Sequence, residues 1–282
     1  MSASDAALST VQAELIYFSA PTDGSKPYSH INKDPVTGTW KRNWTSESHI
    51  VDIENIRGKE DSVSLDTAGF QFFRRPATHK AFTDDKAVEA EYYPESIEFV
   101  KEITGASRAV IFDHTIRRRR PGETDDSPQK RQPVPQVHVD QTTASAIARV
   151  HRHLPPTDAP DLLRRRFQII NLWRPISHAA YDWPLALCDF RSVDPKGDLV
   201  PTTLVYPDRD GETMSVRYNP NHKWKYLRGI EPDEFVLIKC FDSKTDDGTA
   251  LLTPHTAFQD PTTPEGTPYR ESIELRLLVF YD

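Results

Sequence analysis

The sequence predicts a mainly β fold, a barrel or double-sheet jelly roll with helices packed outside it. Three observations carry that expectation. From residue 185 onward, short runs follow one another (LALCDF, TTLVYP, TMSVRY, KWKYLR, EFVLIKCFDS, ALLTPHTAF, ESIELRLLVFYD), separated by turn signals such as NPNH, TDDG and DPTTPEGTP. Twenty-three prolines against eleven glycines suit many short extended segments joined by ordered loops. Thirteen Phe, ten Tyr and five Trp in 282 residues supply a core and exclude a chain that never collapses.

The elements follow in order. VQAELIYF (11–18) and GFQFFRRPA (69–77) read as strands. The stretch between them, with Pro27, Pro35 and Gly38, reads as a long ordered excursion without a core of its own. From Phe82 to Thr104 the apolar residues Val88, Tyr92, Ile97, Val100 and Ile103 recur at helical spacing; Asp84 and Asp85 suit the positive end of the helix dipole, and Gly105 is a stop. RAVIFDHTI (108–116) and VPQVHVDQT read as strands, TASAIARVHRHL as a helix ended by Pro155 and Pro156, and RRRFQIINLWRPI as a strand. No repeat or linker divides the chain. A single domain over 1–282 is expected, with its core at 108–282 and residues 1–90 as an N-terminal extension covering the barrel.

Composition narrows the function. A formal net charge of −7 does not suit phosphate backbones, so no nucleic-acid partner is expected. Two basic runs oppose the trend, Arg117 to Arg120 and Arg164 to Arg166, and both read as solvated charge; the first leads into the polar loop GETDDSPQKRQPVPQ. No apolar run approaches the ~18 residues needed to span a bilayer, and no basic segment followed by an apolar one marks the N-terminus, so no membrane association and a cytoplasmic location are expected. Cys188 and Cys240 make neither a disulfide scaffold nor a metal motif.

Three pieces of sequence carry chemistry. His138-Val139-Asp140 on a strand sends its imidazole and carboxylate to one face. His255, in TPHTAFQD, lies on a later strand. Two histidines and one carboxylate with open coordination positions make the facial triad of non-haem Fe(II) oxygenases. The third piece is the strand from Arg270: Arg270, Ser272, Glu274 and Arg276 share one face, and Ile273, Leu275, Leu277 and Val279 the other. Two guanidinium forks and a hydroxyl on a polar face suit a cavity that receives a dicarboxylate. Each piece alone is weak; their order and strand context join them.

Other candidates read as structural. His114 in FDHT is expected to be a buried imidazole oriented by Asp113, His222 a loop residue, and Asp242 a turn former. His151 and His153, two apart on a helix, diverge. There is no Gly-rich phosphate loop and no covalent-nucleophile motif.

HxD, a distal His and a following RxS resemble the iron and 2-oxoglutarate-dependent dioxygenases. ASRAVIFDHTIRR, VHVDQT, NLWRPI, LALCDF, HKWKYLRGIEPDEFVLIKCFDS, PHTAFQDP and RESIELR, with YYPE (92–95), resemble more closely a family of fungal and bacterial hydroxylase/desaturases of secondary metabolism. That family includes gibberellin desaturase-like proteins, the aspergillic-acid oxygenase and the accessory chain of a cephem methoxylase. The likeness covers roughly residues 90–282. It implies a double-stranded β-helix, a cupin-like barrel. It also implies His138, Asp140 and His255 as Fe(II) ligands, and Arg270, Ser272 and Arg276 as the 2-oxoglutarate clamp, with dioxygen as co-substrate. The spacing of Arg270 and Arg276 is similar to that of the alkylation-repair branch. PTTPEGTPY lengthens the separation of His255 from Arg270 beyond the ten or so residues usual in this fold class and leaves open which arginine dominates. Asn171 and Arg174, in NLWRP, are expected to border the site and to bind the cosubstrate or a substrate carboxylate, and a carboxylate-bearing, amino-acid- or peptide-derived small molecule is the expected substrate. Two alternatives stay open: an iron oxygenase that uses no 2-oxoglutarate, favoured if the arginines miss the cavity, and a catalytically silent accessory chain.

Overall fold

The computed structural model describes residues 9–123, 127, 130–246 and 248–282. Fifteen strands among them form two sheets. The larger runs, in spatial order, through β1 (Thr10–Ser19), β4 (Thr45–Asn55), β12 (Trp224–Tyr226), β9 (Leu185–Cys188), β14 (His255–Ala257), β7 (His138–Val139), β11 (Asp210–Val216), β10 (Leu199–Val205), β2 (Tyr28–Lys33) and β3 (Trp40–Arg42). The smaller runs through β5 (Phe70–Arg74), β13 (Glu234–Asp242), β8 (Phe167–Pro175), β15 (Glu271–Phe280) and β6 (Arg108–Arg118). Two curled sheets facing each other are the expected jelly roll.

One apolar cluster joins the sheets: Phe70, Ile169, Trp173, Ile238, Leu278 and Phe280 from the smaller, Leu187 from the larger. β8 is buried along its whole length, as a central strand covered on both faces must be. The outer face of the smaller sheet (Leu172, Phe235, Ile273, Leu275, Leu277) is covered by Phe99 and Val100 of a helical segment. That segment comprises α1 (Asp85–Ala87), a π-helical turn (Val88–Tyr92) and α2 (Tyr93–Thr104). Asp84 caps its start by accepting from the Lys86 amide, and Gly105 at φ +70° ends it. α3 (Thr143–His153) opens on a Thr142/Ser145 capping box and packs Ala146 and Val150 into the inter-sheet core. α4 (Ala159–Leu162) is a single turn.

The N-terminal residues are built into both sheets. β1 to β4 lengthen the larger sheet and β5 edges the smaller. The excursion between 19 and 69 contains β4, whose TSESHIVDIEN pairs with all ten residues of β1; its many polar residues hid it, because only Ile53 and Asn55 are fully buried, with Val51 packed beside them.

The basic run at 117–120 is half-buried rather than freely solvated. Arg117 donates to the Gln132 carbonyl, Arg118 to that of Phe82, and Arg119 to Asp182 (2.7 Å). In the second run Arg164 pairs at the surface with Asp161, whereas Arg166 reaches Asp242 (2.7 Å). Among the described residues no helix is long and apolar enough to cross a membrane.

Candidate active site

β7 and β14 are antiparallel neighbours, and their register sets His138 directly opposite His255. The imidazole centroids lie 4.5 Å apart. Strand alternation returns the chain to the same face at Asp140, whose Oδ1 is 3.3 Å from His138 Nε2 and 4.0 Å from His255 Nε2. One ligand atom from each residue can be chosen so that all lie within 4.8 Å of one another.

Each Nδ1 is engaged by a backbone carbonyl, His138 with Gln136 (2.7 Å) and His255 with Thr253 (3.0 Å). In the neutral form of each ring Nε2 therefore carries the lone pair, and both Nε2 atoms face Asp140. Gly69, at φ +90°, lets its own backbone press against Thr253, which donates its hydroxyl to the Gly69 carbonyl (2.6 Å); a side chain here would collide with Thr253 and Leu252.

Asp140 is divided between two tasks. Its Oδ2 accepts from Asn171 Nδ2 (2.8 Å) and Arg276 Nε (3.2 Å), leaving Oδ1 toward the histidines. Burial opposes the charge, but Arg276 and the two histidines hold the carboxyl well below the usual carboxylate range. Burial likewise opposes protonation of His138, yet the Asp140 carboxylate raises it above its ordinary value; burial and His138 lower His255. A buried carboxylate that draws a proton toward one of two facing imidazoles marks a cavity short of a cation.

The polar face of β15 is as expected. Arg270, Glu274 and Arg276 line the same cavity as His138, Asp140, His255 and Trp173. Ser272 is buried on that strand, while Ile273, Leu275, Leu277 and Val279 join the outer core. The two arginines differ. Arg276 is spent within the protein, bonded to Asp140, Asp113 (2.9 Å), Thr115 (3.0 Å) and Glu274 (2.5 Å). Arg270 donates one Nη1 bond, to the Trp183 carbonyl (2.5 Å), and its Nε has no partner among the described residues; nor has the Ser272 hydroxyl. Burial, with Arg117 adding like charge, pushes Arg270 down to about 9. A desolvated guanidinium beside an idle hydroxyl is a site short of an anion.

Asn171 reaches Asp140, but Arg174 does not come to the site. It lies on the outer face of the smaller sheet with its guanidinium over Tyr92 and Phe235 (5.5 and 5.0 Å) and donates to the Pro232 carbonyl (3.3 Å). The reason is geometric: residues three apart on a strand point to opposite faces. Asp113 does not orient His114 either. Arg276 pairs with Asp113 and Leu277 with Ile111, so β6 carries a bulge at Phe112. Phe112 packs into the inter-sheet core, Asp113 and Thr115 also face inward, and His114 points outward to the Tyr93 hydroxyl (2.7 Å) and Asp85 (3.2 Å). Sequence reasoning missed Asp113, Thr115, Arg117 and Glu274 as parts of the site; Glu274 alone was signalled, by its phase with Arg276. His222 is buried against Asp198 (2.9 Å) rather than in an open loop; Asp242 forms the expected turn, accepting from the Lys244 amide (3.0 Å), and is a buried ion-pair partner as well.

Comparison with known proteins fits this geometry. The family model described as "Oxidoreductase/YMDC permease-like domain" matches residues 15–280. The hydroxylase/desaturase efuI of Hormonema carpetanum is 37% identical over 97% of this chain and 96% of its own. The Fe(II)/2-oxoglutarate-dependent dioxygenase nvfI of Aspergillus novofumigatus is 33% identical over 95% and 96%. A solved structure of the iron and alpha-ketoglutarate-dependent endoperoxidase NvfI superimposes with a TM-score of 0.83 at 30% identity, covering 97% of this chain and 98% of that one. The chain belongs to the Fe(II)/2-oxoglutarate-dependent hydroxylase/desaturase family. It is an oxidoreductase that uses Fe(II), 2-oxoglutarate and dioxygen, with the jelly-roll fold of its relatives. The donor set agrees: two neutral imidazole nitrogens and a carboxylate oxygen suit a divalent iron, and the idle Arg270 and Ser272 suit a carboxylate.

Proposed function

We propose that His138 Nε2, His255 Nε2 and Asp140 Oδ1 ligate Fe(II), and that Arg270 with Ser272 receives the distal carboxylate of 2-oxoglutarate. The observation that carries this reading is the pair of idle buried groups, Arg270 Nε and Ser272 Oγ, on the sheet that faces the two histidines, with Arg270 lining the same cavity as the triad. Iron, 2-oxoglutarate and dioxygen together supply the oxidising power to functionalise an unactivated C–H bond of a small secondary metabolite, by hydroxylation, desaturation or ring closure.

The protein's own residues orient and exclude. Asn171 and Arg276 fix Asp140 through Oδ2, so one oxygen is presented and the other is neutralised. Arg276 is a positioning residue here, and Arg270 the dominant clamp; the four bonds of Arg276 leave it little to offer a ligand. Trp173, whose ring lies 5.6 Å from the Arg270 guanidinium, walls the cosubstrate end and keeps water from weakening the clamp.

An anaerobic titration of the apo-protein with Fe(II) and then 2-oxoglutarate, followed by visible absorption, tests the assignment. A weak band that requires both is expected. His138→Ala or His255→Ala should abolish Fe(II) binding, whereas Arg270→Ala should keep Fe(II) and raise the 2-oxoglutarate needed by at least tenfold, the loss of a charge-assisted pair. Full Fe(II) affinity in His255→Ala would overturn the ligand set.

A further inference from the structure

Asp140 also lines a second cleft, of about 340 Å³, in whose walls Arg270 has no part. One wall is a face of α3: Ala144 and Ala148 leave space, and Arg149 and Arg152 stand one and two turns deeper along the helix. The opposite wall is Leu204 and Tyr206, at the turn from β10 to β11. The charges around the cleft are unequal in their commitments. Lys26 is paired with Glu212 (2.9 Å), which also accepts from the Thr142 hydroxyl; Arg209 is bonded to Asp208 and lies over Tyr206; Asp210 is exposed at the turn; Asp140 is turned to the triad. Arg149 is half-buried, held over the Phe112 ring at 5.2 Å, and no carboxylate pairs with it among the described residues. Burial, with Arg152 and Arg276 nearby, holds it below its ordinary value against the pull of Asp113, which Arg276 already occupies.

We propose that Arg149, backed by Arg152, is the specificity-determining residue of this enzyme and selects a substrate that carries a carboxylate, with its apolar body along Ala148, Leu204 and Tyr206 and its reacting carbon toward Asp140. This inference rests on the iron and 2-oxoglutarate reading of the triad. It moves the anion-recognising role expected of Arg174 to a residue that does open on the site. A guanidinium that is stacked, partly desolvated and unpaired discriminates an acid from its neutral analogue, because only the acid supplies the missing charge.

Proton relaxation of a probe by Mn(II) bound in place of Fe(II) tests it on the full chain, in saturating 2-oxoglutarate and without oxygen. The probes are decanoate and decanamide, equal in length and different in charge. Decanoate should be relaxed at least fivefold more strongly than the amide; Arg149→Gln should remove that difference, and Arg149→Lys should restore part of it. Arg149→Met, which keeps the stack on Phe112, replaces the Gln variant if that one loses its circular dichroism. Equal relaxation of acid and amide, none of either, or an undiminished decanoate effect in the variants overturns the proposal. So does loss of the decanoate effect on raising 2-oxoglutarate further, which would place the probe in the cosubstrate pocket. If Mn(II) does not bind at all, as read from water-proton relaxation, the triad assignment fails first and this inference with it.

Discussion

Asp140 has four neighbours and two oxygens, and the way they are shared decides what the site can hold. Arg276 can secure Oδ2 because Asp113 and Thr115 hold its Nη1 and Glu274 its Nη2. Asp113→Ala should therefore loosen Arg276 and lower Fe(II) affinity by about 10- to 100-fold, the usual cost of losing an outer-shell partner. Ser272→Ala should leave Fe(II) titration unchanged and raise the 2-oxoglutarate dissociation constant about fivefold or more, for one lost hydrogen bond. Isothermal titration of each variant separates the two effects. The triad and the Arg270 face were legible in the sequence because strand alternation is a period-two rule that local spacing obeys. Asp113 was not, because the bulge at Phe112 shifts the phase by one residue and nothing in RAVIFDHTIRR marks it. The opposite facing of Asn171 and Arg174 was there to be read, three residues apart on one strand.

Individual strands carry a second kind of polar commitment. β13 ends in Lys239 and Asp242, both fully buried side chains 2.8 Å apart, with Arg166 and Gln168 of the neighbouring chain segment also on Asp242 (each 2.7 Å). EFVLIKCFDS reads as an ordinary strand running into a turn; the pair forms because a bulge between Lys239 and Phe241 brings two residues three apart to one side, where Arg166 and Asp66 join them. Burial works against the Asp242 carboxylate, but Arg166 and Lys239 lower its pKa below the ordinary value. A carboxyl with a depressed folded-state value stabilises the fold above its unfolded value, and that contribution is lost as pH falls through the folded one. Asp242→Asn should thus cost about 3 kcal/mol at pH 7, because Lys239 and Arg166 lose the buried carboxylate they share and Lys239 keeps only the exposed Asp66. The gap from wild type should close as the pH drops below about 4. Chemical denaturation of both proteins across pH 3–7 measures it; a gap independent of pH would mean that the amide lost shape complementarity rather than charge.

At the scale of the whole molecule, the site exists only where two sheets face each other: the larger supplies His138 and His255, the smaller Asn171, Arg270 and Arg276. Holding that separation falls partly to the N-terminal strands. β4 pairs with β12 and β1 with β4, and Leu15, Tyr17 and Ile53 form one core with Trp224, Tyr226 and Val139, the residue between His138 and Asp140. Trp224 Nε1 donates to the Tyr17 hydroxyl at 2.7 Å, both groups buried. A chain that begins at residue 60 would lose β1 to β4 and bare this core, so it should show no cooperative thermal transition and should not bind Fe(II). Tyr17→Phe is the gentler test: it removes the acceptor and strands a buried indole N–H, at about 2 kcal/mol. Because Val139 packs in that core, the Fe(II) site should melt at the same temperature as the fold in this variant as in the wild type. Circular dichroism and metal release, followed in one heating experiment, read both. If the shortened chain instead unfolds cooperatively with Fe(II) still bound, the first strands are a cover laid over a self-sufficient barrel.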